Sequence, residues 1–413
     1  MTPLAPRAPL TAVPPEPAAE RLLHEADRLI GFARGSVHPS GGFAMLDNTG
    51  SPQLDEPVHT WQTCRMTHVF AIAALLGDDD APALVDHGLR ALEGRLRDDE
   101  HGGWFASVDA NGPAGSTKEA YSHAFVVLAA ASATVLGRPG ARELLDEALA
   151  VLGERFWDDD RGAMADVWDR TWTDLEPYRG ANANMHTVEA LLAASDATGD
   201  DQWRRRALRI TELLIHGSAR EHGWRLPEHY DESWRPVPEY NTDDRAHAFR
   251  PYGVTPGHLL EWSRLCLHLR AALGDSAPDW LVDDARALFA TAIRDGWAVD
   301  GQDGFVYTVD FGGSPVVRQR LHWVLAEGLG AASALVRATG DDEYDEWYRR
   351  WWAYADRHLL DREHGSWHHE LDPQNRPSSG TWSGKPDVYH ALQATLIPLL
   401  PLSPTLVAAL AQS

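Results

Sequence analysis

Ala124-Phe125-Val126-Val127-Leu128-Ala129-Ala130-Ala131 presents no polar face at any helical phase. A helix apolar on every side has to be enclosed by other protein. Trp203-Arg204-Arg205-Arg206-Ala207-Leu208-Arg209 is the opposite case, so rich in charge that one face must meet water. The whole chain alternates between these two kinds of segment. Residues 19–32 pair with 62–76, 81–96 with 119–136, 142–156 with 184–197, 203–214 with 258–273, 279–293 with 319–338, and 343–358 with 388–397. Apolar residues recur at three- and four-residue spacing in each, which predicts about twelve helices in six hairpins. The first member of a pair is the charged one and the second the apolar one. An outer ring of solvated helices around an inner ring of enclosed ones satisfies both. Six hairpins closing on themselves make an all-α (α/α)6 barrel, whereas an open solenoid needs polar capping repeats that are not seen in the sequence.

The turns carry the same period. Gly41-Gly42-Phe43, Gly102-Gly103-Trp104, Gly162-Ala163-Met164, Gly223-Trp224, Gly304-Phe305 and Gly365-Ser366-Trp367 each join glycine closely to an aromatic or other large residue. Counted from the first glycine of each, the steps are 61, 60, 61, 81 and 61 residues (102−41, 162−102, 223−162, 304−223, 365−304). A fixed step of that size marks a structural repeat, so residues 18–413 are expected to form one domain. Two longer connections, residues 224–256 and 304–317, read as β-hairpin-like inserts at the mouth of the barrel.

Composition narrows the function. A chain of 413 residues with 17 tryptophans builds a core without staples, and two cysteines, Cys64 and Cys266, are too few for a disulfide framework or a zinc cage. A formal charge of −24 argues against a nucleic-acid partner, because phosphate backbones want a basic face. No run approaches the roughly 20 apolar residues that span a bilayer. Residues 1–17, rich in proline and alanine, lack a signal-peptide core and read as a flexible tail. The expectation is a cytoplasmic protein acting on a small molecule, with no membrane partner. No apolar stripe announces an oligomer interface.

Histidines stand near the starts of the apolar segments: His68, His123, His186, His258, His322 and His390. A histidine at a helix start often does no more than cap or tie down a loop, so neighbours must separate the frames. His258, in Pro256-Gly257-His258-Leu259-Leu260-Glu261-Trp262, has Glu261 three residues on, and His390 has Gln393. That step keeps both groups on one helix face, where the second can orient the imidazole. His258 and His390 are therefore the acid-base candidates, with Glu261 as partner to the first. His186, with Glu189 and beside Asn182, suits a ligand hydroxyl. His322 is open to either reading, and His68 and His123, followed by Ala71 and Val126, read as structural.

Arg65 lies one turn after Trp61, an arrangement suited to a hydroxylated ligand whose C–H faces pack on the ring while the guanidinium donates to oxygens. Arg250 is a second donor just before the helix of His258, and Tyr121 and Trp323 can complete a wall. No His-x-x-x-His pair shares an inner helix, and His368 and His369, being adjacent, point apart, so no metal is expected. Phosphate loops and dinucleotide fingerprints are missing too. The chemistry is expected to use side chains alone.

Taken together, Arg65-Met66-Thr67-His68, Asn182 with His186, the Pro256–Trp262 stretch, Ala326-Glu327-Gly328 and Lys385-Pro386-Asp387-Val388-Tyr389-His390-Ala391-Leu392-Gln393 resemble the N-acylglucosamine 2-epimerase superfamily over nearly the whole chain, most closely its aldose–ketose isomerases. The resemblance implies the (α/α)6 barrel and a cofactor-free isomerisation between C1 and C2 of a monosaccharide. It also implies an acid-base pair of His258 and His390, with Arg65, Asn182, His186, Arg250, Glu261 and Glu327 around the sugar. Glu327 enters by resemblance alone. The leading substrate pair is D-mannose and D-fructose. Sulfoquinovose isomerisation and 2-epimerisation are the alternatives, ahead of glycoside hydrolysis and non-catalytic sugar binding.

Overall fold

The computed structural model describes residues 10–413. Its helices are α1 (Ala19–Ala33), α2 (Thr60–Leu75), α3 (Ala81–Glu93), α4 (Ala120–Val135), α5 (Ala141–Val151), α6 (Ala181–Thr198), α7 (Gln202–Thr211), α8 (Pro256–Leu273), α9 (Trp280–Gly296), α10 (His322–Thr339), α11 (Asp342–Tyr354), α12 (Tyr389–Leu396) and α13 (Leu406–Gln412). The twelve helices of the expected (α/α)6 class are all present, in order. α13 was not expected. α5, α7 and α11 run on into wide, π-type turns at Leu152–Phe156, Glu212–Ala219 and Ala355–Leu359, which is why apolar periodicity outlasts the regular helix there.

The chain forms two compact units. In the first, residues 30–210 with 404–413, α4 lies between α2 and α6, α3 packs on α2, α5 packs on α4, and α13 lies against α2, α4 and α6. In the second, residues 10–29 with 211–403, α10 lies between α8 and α12, α9 packs on α8 and α11 on α10. The two kinds of helix divide as their composition requires. Every residue of α4 from 122 to 133 and of α8 from 256 to 267 is buried. α11 buries Tyr344, Tyr348, Trp351 and Trp352, the stripe at i, i+4, i+7 and i+8, together with Tyr354 at its end, and exposes Arg349 and Arg350.

Glycine turns hold the helix starts of the first unit. The residue after the turn donates its backbone N–H to a side chain near the start of the following inner helix: Phe43 to Thr63 Oγ1 (3.3 Å), Trp104 to His123 Nε2 (3.2 Å) and Met164 to Asn184 Oδ1 (2.8 Å). Gly103 has φ +69°, and a Cβ there would lie 2.8 Å from His123 Nε2, so glycine is required on both counts. Aligned by this bond, His123 matches Thr63 and Asn184, not His186. The histidine frames are not one repeated position.

The inserts contain the short strands expected of them. Thr308–Val309 pairs antiparallel with Pro315–Val317, the strand His229–Asp231 lies in the longer insert, and Val254 bridges to Val309. Of the segment read as a flexible tail, residues 1–9 lie outside the described residues. Residues 10–17 are docked: Ala12 is buried, and Val13 N–H donates to the Pro398 carbonyl at 2.8 Å. This backbone bond and the buried Ala12, Pro14 and Pro17 hold a segment whose prolines leave little chain entropy to lose. Among the described residues no helix is long and apolar enough to cross a membrane.

Candidate active site

Pro256 sits in the first turn of α8, where its missing N–H costs nothing. Gly257 lets the next inner helix come close, since a Cβ there would lie 2.4 Å from the Trp323 ring. His258 follows, its imidazole 5.2 Å from that indole at 37°. The His258 Nδ1–H donates to Glu228 Oε2 at 2.9 Å. The carboxylate comes from the long insert, not from Glu261 as expected. Helical side chains lean toward the N-terminus, so His258 reaches out of the helix start to the insert, while Glu261 lies one turn deeper, 3.6 Å from Arg264.

His390 opens α12 in a matching way. Its Nδ1–H donates to Glu327 Oε1 on α10 at 2.9 Å, and its ring lies 5.8 Å from Trp323 at 38°. The other Glu327 oxygen accepts from Arg264 Nε at 2.9 Å. Burial alone would raise the Glu327 pKa, but Arg264 and His390 outweigh it and hold the carboxyl below its usual range. With carboxylates as acceptors, both imidazoles donate through Nδ1–H. Two imidazoles held in the same way lie beside one indole. Asp387, one turn before His390, places Oδ2 3.5 Å from His390 Nε2 and takes the His390 backbone N–H on Oδ1 at 3.4 Å.

Glu261, Glu327 and His390 bring potential ligand atoms within 4.8 Å of one another. The Arg264 guanidinium already meets both carboxylates, a built-in cation that suits tuning of His390 better than ion binding. Arg250 is half-buried in the same unit, its Nη1 donating to Tyr240 OH at 3.2 Å and its carbonyl accepting from Asn241 at 2.6 Å.

The first unit gathers the remaining candidates. Arg65 is buried, with its guanidinium carbon 4.5 Å from the Phe125 ring, 5.2 Å from Trp61 and 6.0 Å from Tyr121, and Nη2 donates to Tyr121 OH at 3.0 Å. Aromatic faces fix the cation without neutralising it. His186 packs against Tyr121 and Phe125, and its Nδ1 lies 3.7 Å from Glu189, the neighbour expected three residues on. Asn182 is half-buried, with an Oδ1 that accepts no hydrogen bond among the described residues.

Three histidines are scaffolding by geometry. His68 pairs with Ser132 Oγ at 2.7 Å, and burial pushes its pKa down to about 4. His123, the turn anchor, also meets the Glu119 carbonyl at 2.7 Å, and burial takes it down to about 3. His322 stacks on His369 at 3.8 Å with its nitrogens 3.1 and 3.3 Å from the Asp387 and His369 carbonyls, and burial lowers it to about 4. Sequence reasoning gave no role to Glu228, Arg264 or Asp387. Arg264, three residues after Glu261 on the same face of α8, and Asp387, three residues before His390, had local signals, whereas Glu228 had none.

Comparison with known proteins follows the same lines. Residues 41–394 match the family model for N-acylglucosamine 2-epimerase. D-mannose isomerase of Thermobifida fusca is 59% identical over 94% of this chain and 95% of its own length. D-mannose isomerase of Pseudomonas cannabina pv. alisalensis is 51% identical over 94% of each. A crystal structure of D-mannose isomerase, 29% identical, superposes with a TM-score of 0.87 over 92% of this chain and 97% of that one.

Proposed function

The chain belongs to the N-acylglucosamine 2-epimerase family, and from that premise we propose that it is an isomerase interconverting D-mannose and D-fructose without a cofactor. The observation that carries the chemistry is the pair of imidazoles beside Trp323, each with Nδ1 held by a carboxylate. The choice of sugar rests on the two relatives above half identity.

An aldose in its ring form hides its carbonyl, so a proton has to pass between the anomeric hydroxyl and the ring oxygen. His258 is assigned that transfer, with Glu228 stabilising the imidazolium. Once the ring opens, the carbonyl acidifies C2–H. His390 Nε2 takes that proton, the C–H pair becomes the C1–C2 double bond of a cis-enediolate, the hydroxyl proton on O2 passes to O1, and the imidazolium returns its proton to C1 as the C2–O2 bond becomes the carbonyl of the ketose. Glu327 compensates the charge on His390 during the interval, and Arg264 keeps Glu327 ionised. Arg250, and in the first unit Arg65, Asn182 and His186, are proposed to hydrogen-bond sugar oxygens, Arg65 as the fixed cation suited to a developing oxyanion.

Proton NMR of D-mannose incubated with the protein tests the reading. Fructose should appear as the first product, and His390→Ala should abolish it, a loss of at least about 10³-fold, with the circular dichroism unchanged. Glucose as the first product would move the protein to 2-epimerisation. Unchanged mannose with folded protein would overturn the reading.

A further inference from the structure

We infer that Asp387 is the group through which the proton carried by His390 exchanges with solvent during the reaction. The inference rests on the proposed isomerisation, which loads that proton onto Nε2. Of the two ring nitrogens, Nδ1 is committed to Glu327, whose side chain is 2% exposed and tied to Arg264. At Nε2 the Asp387 carboxylate lies 3.5 Å away and is 13% exposed. That separation is short enough for a proton to cross once the imidazolium rotates slightly.

His322 stands behind Asp387. Oδ2 lies 3.8 Å from His322 Nε2, but His322 is buried, stacked on His369 and directed at the carbonyls of Asp387 and His369. Burial keeps it neutral near neutral pH, so it neither takes the proton nor passes it on. Asp387 itself is fixed by the backbone N–H of His390, so it moves with the ring it serves.

The step balances as follows. In the enediolate complex the imidazolium Nε2–H gives its proton to the Asp387 carboxylate, leaving neutral imidazole and a carboxylic acid. In heavy water the acid exchanges its proton for a deuteron and returns it to Nε2, from which it reaches C1. Direct return, without the detour, delivers the original protium. The deuterium fraction at C1 of the first fructose formed therefore reads the partition between the two routes.

The test is fructose made from D-mannose in heavy water, sampled at low conversion and read by NMR and mass. Wild-type product should carry deuterium at C1, and Asp387→Asn, whose amide cannot shuttle a proton, should cut that fraction at least fivefold in whatever fructose it makes. Asp387→Glu restores a carboxylate and should keep the fraction near the wild-type value, a comparison that stands even if the asparagine variant makes too little product. Wild-type fructose without C1 deuterium overturns the inference, as does an unchanged fraction in Asp387→Asn or protium alone from Asp387→Glu. Absence of fructose from the wild type would instead sink the isomerase reading.

Discussion

At the scale of single residues, the His258–Glu228 bond governs what His258 can do, because a carboxylate at Nδ1 both selects the tautomer and offsets the charge gained when Nε2 is protonated. Glu228→Gln retains the shape but removes the charge. We expect kcat to fall about 10²-fold with KM changed little, since the lost interaction matters most when the ring is protonated. Steady-state kinetics on D-mannose read this, and an unchanged kcat would remove Glu228 from the mechanism. The two imidazoles were legible in the sequence, each near the start of a strongly apolar segment. Their partners were not: Glu228 lies 30 residues before His258 in an irregular insert, and Glu327 lies 63 residues before His390 in another hairpin. Periodicity reports a helix's faces, whereas such partners depend on which hairpins become neighbours.

At the scale of elements, three turns of the first unit each give a backbone N–H to the following inner helix, and the acceptor is a hydroxyl at Thr63, an imidazole at His123 and an amide at Asn184. The imidazole alone titrates. With its folded pKa down at about 3 against an unfolded value near 6.5, His123 binds its proton mainly in the unfolded state as pH falls. Stability is then retained above pH 6.5 and lost on acidification, by about 2 kcal/mol for this residue between pH 7 and 5. His123→Asn, which copies the Asn184 solution, should flatten the pH dependence of urea unfolding by about that amount. An equally steep profile would refute the assignment. Helix positions were legible because amphipathic and enclosed segments differ so plainly. α13 was not, because seven residues make no stable helix alone and this one exists by lying on α2, α4 and α6. The histidine frames, each near a helix start, do not occupy one repeated position. Residue type aligned them, whereas the conserved quantity is the 19- to 20-residue offset from the glycine turn.

At the scale of the molecule, a formal charge of −24 keeps the protein soluble while its carboxylates repel one another. Screening should relieve that repulsion, so the melting temperature is expected to rise by a few degrees between 10 and about 150 mM sodium chloride, where the Debye length shrinks from about 30 to about 8 Å. Differential scanning fluorimetry at fixed pH measures it, and a fall with salt would mean that attractive pairs dominate. The shared indole of Trp323 has a consequence of another kind. Imidazolium quenches indole fluorescence at short range and neutral imidazole does so far less, and this ring lies with its centroid 5.2 and 5.8 Å from the two proposed acid-base histidines. On the proposed roles Trp323 is a built-in lamp for the proton inventory of the site: the emission lost in Trp323→Phe, followed during turnover, is expected to brighten when both imidazoles are neutral and to dim while either one holds an extra proton.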